Sequence, residues 1–244
     1  MRNDGTLWAW GANYDGQLGD GTAINSLTPV QVGAATSWRT VSAGYFHSVG
    51  IQADGTLWTW GGNTWGGLGI GIMGGAQVSP VQLPGTNWRS VSAGFDFTLA
   101  IQTDGSLWVW GRNYEGQLGI SGNQVSPVRL GTETWRSVVA AWYGAAAIRD
   151  DGTLWTWGNY DATLRLLSAD TDWISVNAAL SEVVARKSDG SIWLWGWSET
   201  PTQLGAGSNW TSALPCMARR IIVMPCGLVV SSSSTRRRRY HRRR

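Results

Sequence analysis

The sequence predicts an all-β fold and, within that class, a β-propeller of four-stranded blades. Three observations predict it: a phrase that recurs along the chain, a constant distance between pairs of tryptophans, and an unusual composition. The 244 residues include 33 glycines and 18 tryptophans. Glycine favours tight turns and tryptophan favours strands, so this composition is typical of many short strands joined by hairpins.

The recurring phrase is Asp-Gly-Thr/Ser-Leu/Ile-Trp-X-Trp-Gly. Its Asp-Gly pair predicts a tight hairpin, because glycine readily adopts the positive φ that such a turn needs. In the third copy, Leu107 and Val109 are expected on one side of the returning strand, with Trp108 and Trp110 on the other. Both sides are apolar, which indicates a strand covered on both faces, as in stacked blades. The copies occupy residues 4–11, 54–61, 104–111, 151–158 and 189–196.

The second marker is a tryptophan that opens the pattern Trp-Arg-X-Val or a variant of it. From this marker to the first tryptophan of the following phrase is always 20 residues, as from Trp38 to Trp58. The stretch between that phrase and the next marker varies from 15 to 28 residues. A constant length is expected where strand register is fixed, and a variable length where a surface loop intervenes.

Each whole unit is predicted to form four short strands. In the unit that begins at Trp88, they are expected at 88–94, 98–102, 106–111 and 127–130. The last of these begins with proline, which suits an edge strand because proline donates no backbone hydrogen bond. Four strands in a repeat of 37–50 residues match a propeller blade, and a solenoid of the same hairpins is the alternative.

The repeats cover residues 1–210. A half unit at 4–32 comes first, and four whole units follow it, beginning at Trp38, Trp88, Trp135 and Trp173. The chain therefore predicts about five blade equivalents, in a propeller that need not be complete.

Two alternatives stay open for residues 211–230. They are either a degenerate repeat whose strands pair with the N-terminal half unit and close the ring, or sequence foreign to the repeat. Ile221–Val223 stand where whole units carry an apolar strand, which favours closure. Residues 231–244 are rich in arginine and predict a basic, disordered tail. Residues 1–218 hold 10 basic and 16 acidic side chains, a net charge of −6, so the positive balance of the chain resides in its last residues.

A longer phrase, Trp-Gly-X-Asn-X-X-Gly-Gln-Leu-Gly, occurs at 10–19 and 110–119, with a variant at 60–69. Together with the Val-Ser-Ala-Gly that precedes each Asp-Gly phrase in the early units, it resembles the repeat of the regulator of chromosome condensation family, in a short or partial bacterial-type member. The resemblance implies a β-propeller, usually of seven blades. It also implies that founding members exchange nucleotide on a Ran-type GTPase and sit on chromatin, whereas many relatives are interaction modules.

The chain departs from the family pattern in ways that bear on function. The exchange surface of the family lies in insertions of particular blades, and no comparable insertion is visible here, so no catalytic position is carried over. The Gly-Gln-Leu-Gly loop is missing at 158–167 and 196–204. The column that often holds histidine in the family contains His47, Phe97, Gly144 and Glu182, so nothing functional recurs in it.

Composition argues against an enzyme. The two histidines, His47 and His241, and the two cysteines, Cys216 and Cys226, show no spacing typical of a catalytic triad or a zinc site. We therefore expect no catalytic, cofactor-binding or metal-binding residue and no cofactor. No stretch is long and apolar enough to span a bilayer, no signal peptide is visible, and no membrane partner is expected. The compartment is left open.

The leading hypothesis is a non-enzymatic binding module or scaffold. Its loops at 13–28, 63–79 and 113–126 would form one face that holds a protein or glycan partner. Three tryptophans stand outside the repeated columns, and exposed aromatic residues are favoured at binding surfaces. With residues of the loops, the candidate binding set is Tyr14, Asp15, Trp65, Tyr114, Glu115, Trp142 and Trp197.

Two alternatives come from other functional classes. One is a guanine-nucleotide exchange factor for a small GTPase, as the family resemblance implies. The other is binding of nucleic acid or chromatin through the tail, whose arginines could neutralise several phosphates. The arginines in question are Arg236, Arg237, Arg238, Arg239, Arg242, Arg243 and Arg244.

Overall fold

The computed structural model describes residues 1–179, 182–196 and 200–205. These residues form 17 strands and no helix, which confirms the all-β prediction. Strands β1 (Trp8–Gly11) and β2 (Ser26–Gln31) form a two-stranded sheet, which we call the half blade. No helix that could cross a membrane occurs within these ranges.

Four blades of four antiparallel strands follow. Blade 1 contains β3 (Trp38–Ala43), β4 (His47–Gln52), β5 (Leu57–Gly62) and β6 (Ala76–Gln82). Blade 2 contains β7 (Trp88–Ala93), β8 (Phe97–Gln102), β9 (Ser106–Gly111) and the first part of β10 (Gln124–Ala140). Blade 3 contains the rest of β10, with β11 (Gly144–Arg149), β12 (Leu154–Gly158) and β13 (Asp161–Ser168). Blade 4 contains β14 (Trp173–Ala179), β15 (Glu182–Lys187), β16 (Ile192–Gly196) and β17 (Thr202–Gln203).

The fourth strands begin earlier than the sequence predicts. Pro29 lies inside β2 and Pro80 inside β6, each in the outermost strand of its sheet, where a missing N–H is tolerated. Strand β10 is longer still, since Val128 pairs with Val109 of blade 2 and Val138 pairs with Ala147 of blade 3. One strand therefore serves as the outer strand of one blade and the first strand of the next.

A relay of hydrogen bonds folds each Asp-Gly hairpin. In blade 1, the Asp54 carboxylate accepts hydrogen bonds from the backbone N–H and the hydroxyl of Thr56, at 3.0 and 2.7 Å. The Thr56 hydroxyl oxygen in turn accepts one from the indole N–H of Trp58 at 2.9 Å. The relay explains why Asp, Thr or Ser, and Trp recur together. In each of the four blades, the first tryptophan of the pair is half-buried and packs against the edge of the core.

The core lies between blades. Leu107 and Val109 pack toward blade 3 against Trp135 and Trp157, whereas Trp110 packs toward blade 1. Strand β9 is thus covered on both faces, as its sequence predicts. Each fully buried apolar side chain of this size contributes roughly 1.5–3 kcal/mol. The first strands of neighbouring blades also contact one another, which is how blades fan around an axis.

Adjacent blades are joined by hydrogen bonds from the second tryptophan of the phrase in blades 1, 2 and 3. The indole N–H of Trp60 donates to the carbonyl of Gln17 at 2.9 Å, and that of Trp110 donates to the carbonyl of Gly67 at 2.9 Å. Trp157 repeats the bond to the carbonyl of Gln117 at 3.0 Å. The acceptor always lies in the Gly-Gln/Gly-Leu-Gly loop of the preceding blade.

Asparagine folds that acceptor loop. The Asn113 side-chain oxygen accepts a hydrogen bond from the Leu118 N–H at 2.8 Å, and its amide nitrogen donates to the carbonyls of Ile120 and Gly122. Asn13 and Asn63 make equivalent bonds in their own loops. The spacing from Asn to Gly-Gln-Leu-Gly is therefore set by one side chain that bridges the loop.

The half blade leaves β1 with β2 as its one hydrogen-bonded strand among the described residues. Trp10 is 56% exposed there, whereas Trp60 in the same column of blade 1 is 1% exposed. The sequence prediction that residues 211–230 supply the missing partner strands concerns residues outside those the structure describes. Closure therefore stays a prediction.

The contribution of the inter-blade hydrogen bond to the free energy of unfolding can be measured by comparing two tryptophans in the same column. Trp195 is buried like Trp157, but its indole N–H has no acceptor among the described residues, since blade 3 lacks the Gly-Gln-Leu-Gly loop. We expect Trp157→Phe to cost about 1–2 kcal/mol more than Trp195→Phe, because it also leaves the Gln117 carbonyl unsatisfied. Urea denaturation of both variants measures the difference, and equal losses would show that the bond contributes nothing.

Candidate functional site

Three inner loops lie at the same end of the blades as the Asn-containing loops. They join the first and second strands of blades 1, 2 and 3 and carry aromatic side chains that meet at the centre of that end. We call the surface that these loops form with side chains of the Asn-containing loops the mouth. It consists of Tyr45, Phe46, Trp65, Phe95, Asp96, Arg112, Tyr114, Glu115, Trp142 and Tyr143, with Asp15 beside it.

Ring contacts connect the inner loops across three blades. The ring centroid of Tyr45 lies 4.7 Å from that of Phe95 and 6.1 Å from that of Trp142. Phe95 lies 5.8 Å from Trp142 and 6.0 Å from Tyr143, and Phe46 packs edge-on against Tyr45. Aromatic pairs at these separations attract one another beyond their buried area. Tyr45 is nevertheless 54% exposed, so the cluster presents apolar surface to solvent.

Two glycines allow the inner loops to approach so closely. A side chain on Gly44 would collide with the carbonyl oxygen of Gly94, and one on Gly94 would collide with the Phe97 ring. With no side chain in the way, the Tyr45 N–H donates a hydrogen bond to the Gly94 carbonyl at 3.2 Å. The glycine of Val-Ser-Ala-Gly is therefore required by contact between blades.

Arg112 connects the inner loops to the Asn-containing loops, which lie outside them and are called the outer loops. Its guanidinium lies 5.9 Å from the ring centroid of Phe95, 5.4 Å from that of Tyr114 and 5.6 Å from that of Tyr143. It also forms an ion pair with Glu115, with an Nη2–Oε1 distance of 2.6 Å. Distances of this order are typical of cation–π contacts, which favour a fixed position for the guanidinium. Its Nη1 atom is buried and has no hydrogen-bond acceptor among the described residues.

Asp96 and Glu115 are both buried acids of the mouth, and Asp96 is the one without a paired cation among the described residues. It is 5% exposed, and its carboxylate accepts no hydrogen bond from any residue that the structure describes. Burial raises the pKa of Asp96 to about 6; the Arg112 charge opposes this shift and the Asp15 charge adds to it. Asp15 lies close to Phe46, since a side chain on Gly62 would touch both.

His47 lies behind the mouth, between blades 1 and 2. Its Nε2 atom is 2.8 Å from the hydroxyl oxygen of Thr98, which donates a hydrogen bond to the Gly67 carbonyl at 2.9 Å. Since that hydroxyl proton is engaged, Nε2 carries the proton donated to Thr98. Burial lowers the pKa of His47 to about 4. His47 therefore acts here as a neutral link between blades.

The structure brings most of the sequence-predicted candidates together. Trp65 packs edge-on against Tyr114 at 5.1 Å, and Glu115 and Trp142 belong to the same mouth. Tyr14 is 76% exposed on the neighbouring loop. Trp197 and the seven tail arginines lie outside the described residues. In the described ranges, no three acidic, histidine or cysteine side chains are grouped so as to hold a metal ion.

Sequence reasoning missed part of the mouth: Tyr45, Phe46, Phe95, Asp96, Arg112 and Tyr143. A signal was present, because the column after the Val-Ser-Ala-Gly glycine is aromatic in blades 1 to 3, and the column after that is aromatic in blades 1 and 3. The next column, that of His47, contains no recurring residue. The inner-loop residues of the mouth lie in the two columns before that of His47.

The repeats of this chain match a known protein family. The model of the Regulator of chromosome condensation (RCC1) repeat matches residues 4–51, 54–101 and 104–148, more than half of the chain. A second model of the same repeat matches 38–66 and 88–117. The chain belongs to the RCC1 repeat family. No curated protein sequence matches it significantly.

Solved structures of RCC1 propellers share the fold. Human WBSCR16 superimposes with a TM-score of 0.77 at 19% identity, covering 87% of this chain and 65% of its own. Yeast RCC1 (Prp20) bound to Kap60 gives 0.76 at 17% identity, covering 88% and 63%. Prp20p from Saccharomyces cerevisiae alone gives 0.76 at 17%, covering 88% and 64%. This RCC1-repeat chain thus spans less than two thirds of their length, and the likeness favours blades of a propeller over a solenoid.

The buried His47 predicts how stability depends on pH. Its folded pKa of about 4 lies below the unfolded value near 6.5, so it stabilises the fold above about pH 6.5 and this contribution is lost as the pH falls toward 4. We expect the free energy of unfolding, from urea titrations at pH 7.5, 6 and 5, to fall less steeply in His47→Gln than in the wild type. Parallel curves would contradict a buried neutral histidine.

Proposed function

We propose that this RCC1-repeat protein is a non-enzymatic binding module that holds a protein partner at the mouth. The observation that carries the proposal is the aromatic cluster of Tyr45, Phe95 and Trp142, which three separate blades build on one end of the fold. Tyrosine, tryptophan and arginine are the residues that contribute most binding energy at protein interfaces.

The scaffold supports such a role because it positions the cluster rigidly. Each inner loop joins two strands of a blade whose faces are buried against neighbours, and backbone hydrogen bonds join loop to loop. Side chains held in this way lose little conformational freedom on binding, which reduces the entropic cost of association. The loops at 13–25 and 63–75 lie at the same end, and their exposed residues extend the surface available to a partner.

The structural neighbours support a protein rather than a glycan as the partner. One of them is yeast Prp20 bound to Kap60, and another is Prp20p, whose binding to Gsp1p and histones was studied. Those partners belong to those proteins. What transfers to this chain is the general ability of the fold to present a surface to a protein.

The experiment compares two variants with matched surface changes. Tyr45→Ala/Trp142→Ala removes two rings of the mouth, and Leu27→Ala removes an apolar side chain that is 97% exposed on β2. Near-ultraviolet circular dichroism first confirms that both fold. The tagged wild-type chain is then cross-linked in extract of its source cells, and its partner is identified by mass spectrometry.

We expect the Leu27 variant to retain the partner and the mouth variant to lose at least about tenfold in affinity, the effect of removing hot-spot side chains. Retention of the partner by the mouth variant would overturn the proposal. Recovery of a small GTPase whose nucleotide release the chain accelerates would replace the binding module with an exchange factor.

A further inference from the structure

Two polar groups of the mouth have no hydrogen-bond partner among the described residues. They are the carboxylate of Asp96, a residue that is 5% exposed, and the Nη1 atom of Arg112, which is fully buried. Buried polar groups are normally hydrogen-bonded, and an unsatisfied one costs about 1–3 kcal/mol. An acceptor and a donor left unsatisfied at the same surface indicate that something else satisfies them.

The charge of the mouth is negative. Among the described residues of the mouth, Asp15, Asp96 and Glu115 are accompanied by one cation, Arg112, and that guanidinium is already paired with Glu115 through Nη2. Two carboxylates therefore have no cation bound directly to them among the described residues. The rings around them present π faces, which attract cations when water is excluded.

We infer that the mouth binds a lysine or arginine side chain on an exposed segment of the partner protein. The inference rests on the proposed function and names the chemistry of its partner. The cation would lie against the rings of Tyr45 and Phe95 and donate hydrogen bonds to Asp96. A peptide carbonyl of the same segment would accept the bond that Arg112 Nη1 can donate.

This combination distinguishes the candidate ligands. A polyamine supplies the cation but has no carbonyl for Arg112. A glycan supplies hydroxyl groups but no charge to compensate Asp15 and Asp96. A basic peptide supplies both a cation and a backbone acceptor, so it satisfies both unpartnered atoms at once.

The test uses the full chain and two short peptides, acetyl-(Gly-Arg)₃-amide and the same peptide with citrulline in place of arginine. Citrulline keeps nearly the same shape, but one NH2 donor of the guanidinium becomes a carbonyl acceptor and the charge is removed. Isothermal titration calorimetry at pH 7.5 is expected to show saturable binding of the arginine peptide and at least about tenfold weaker binding of the citrulline peptide, since a desolvated charge pair contributes 1.4 kcal/mol or more.

Two single substitutions identify the carboxylate. Asp96→Asn is expected to weaken binding of the arginine peptide at least about tenfold. Asp104→Asn is the matched control: Asp104 sits in a hairpin at the opposite end of blade 2, so binding should not change. Equal effects of the two substitutions, or equal affinity for the two peptides, would overturn the inference.

The pH dependence gives a second readout. Because Asp96 must be ionised to bind a cation, affinity should fall as the pH is lowered from 7.5 to 5.5, through its pKa of about 6, and this fall should vanish in Asp96→Asn. The other charged groups near it are Asp15, Arg112 and Glu115, while His47 stays neutral behind it. A fall that persists in Asp96→Asn would place the titrating group elsewhere and overturn the assignment.

Failure of this inference is distinguishable from failure of the proposed function. If neither peptide binds while Tyr45→Ala/Trp142→Ala still loses the cellular partner, the mouth binds protein but not through a cation. If the mouth variant keeps its partner, the proposed function fails and the inference fails with it.

Discussion

The hydrogen bond from a buried indole to the loop of the preceding blade is the constraint on which the structure depends. It couples three features that lie far apart in sequence: the second tryptophan of one phrase, the Gly-Gln-Leu-Gly loop about 40 residues earlier, and the asparagine that folds that loop. A side chain on Gly69 would collide with the Trp110 ring, so the loop must carry glycine where it lies against the indole. Where blade 3 has lost the loop, the indole of Trp195 has no acceptor among the described residues.

The same coupling determines where the mouth forms. Because each blade is locked to the one before it, the inner loops of blades 1, 2 and 3 come to lie side by side, and the Gly44–Gly94 contact brings their backbones together. As a result, the aromatic residues that follow these glycines pack against one another. Arg112 joins this cluster to the outer loops, so inner and outer loops form one continuous surface.

The burial of a repeated residue depends on what surrounds its blade. Trp10 and Trp60 occupy the same column of the same phrase, yet the first is largely exposed and the second fully buried. Trp60 has the loop of a preceding blade above it and strand β4 beside its own strand, whereas the half blade of Trp10 has neither within the described residues. A repeat of this kind is therefore stable only as part of an array, in which every unit completes the core of its neighbour.

The sequence by itself determined the strands, the hairpins and the two-sided burial of strands such as β9, because these follow from local rules. Asp-Gly turns, alternation of side chains and the fixed 20-residue spacing all act within a single blade. It also identified Trp65, Tyr114, Glu115 and Trp142 as candidates, because they lie in loops or outside the repeated columns. Only the tertiary structure decided that these residues meet Tyr45, Phe95 and Asp96, which lie in the inner loops of two different blades, with Tyr45 one repeat before Phe95 and Asp96. Their meeting depends on the curvature of the array and the close approach of blades at Gly44 and Gly94, and no pattern within one repeat specifies either. The environment of Asp96 has the same origin, since its carboxylate is buried and feels the charges of Arg112 in its own blade and of Asp15 in the half blade.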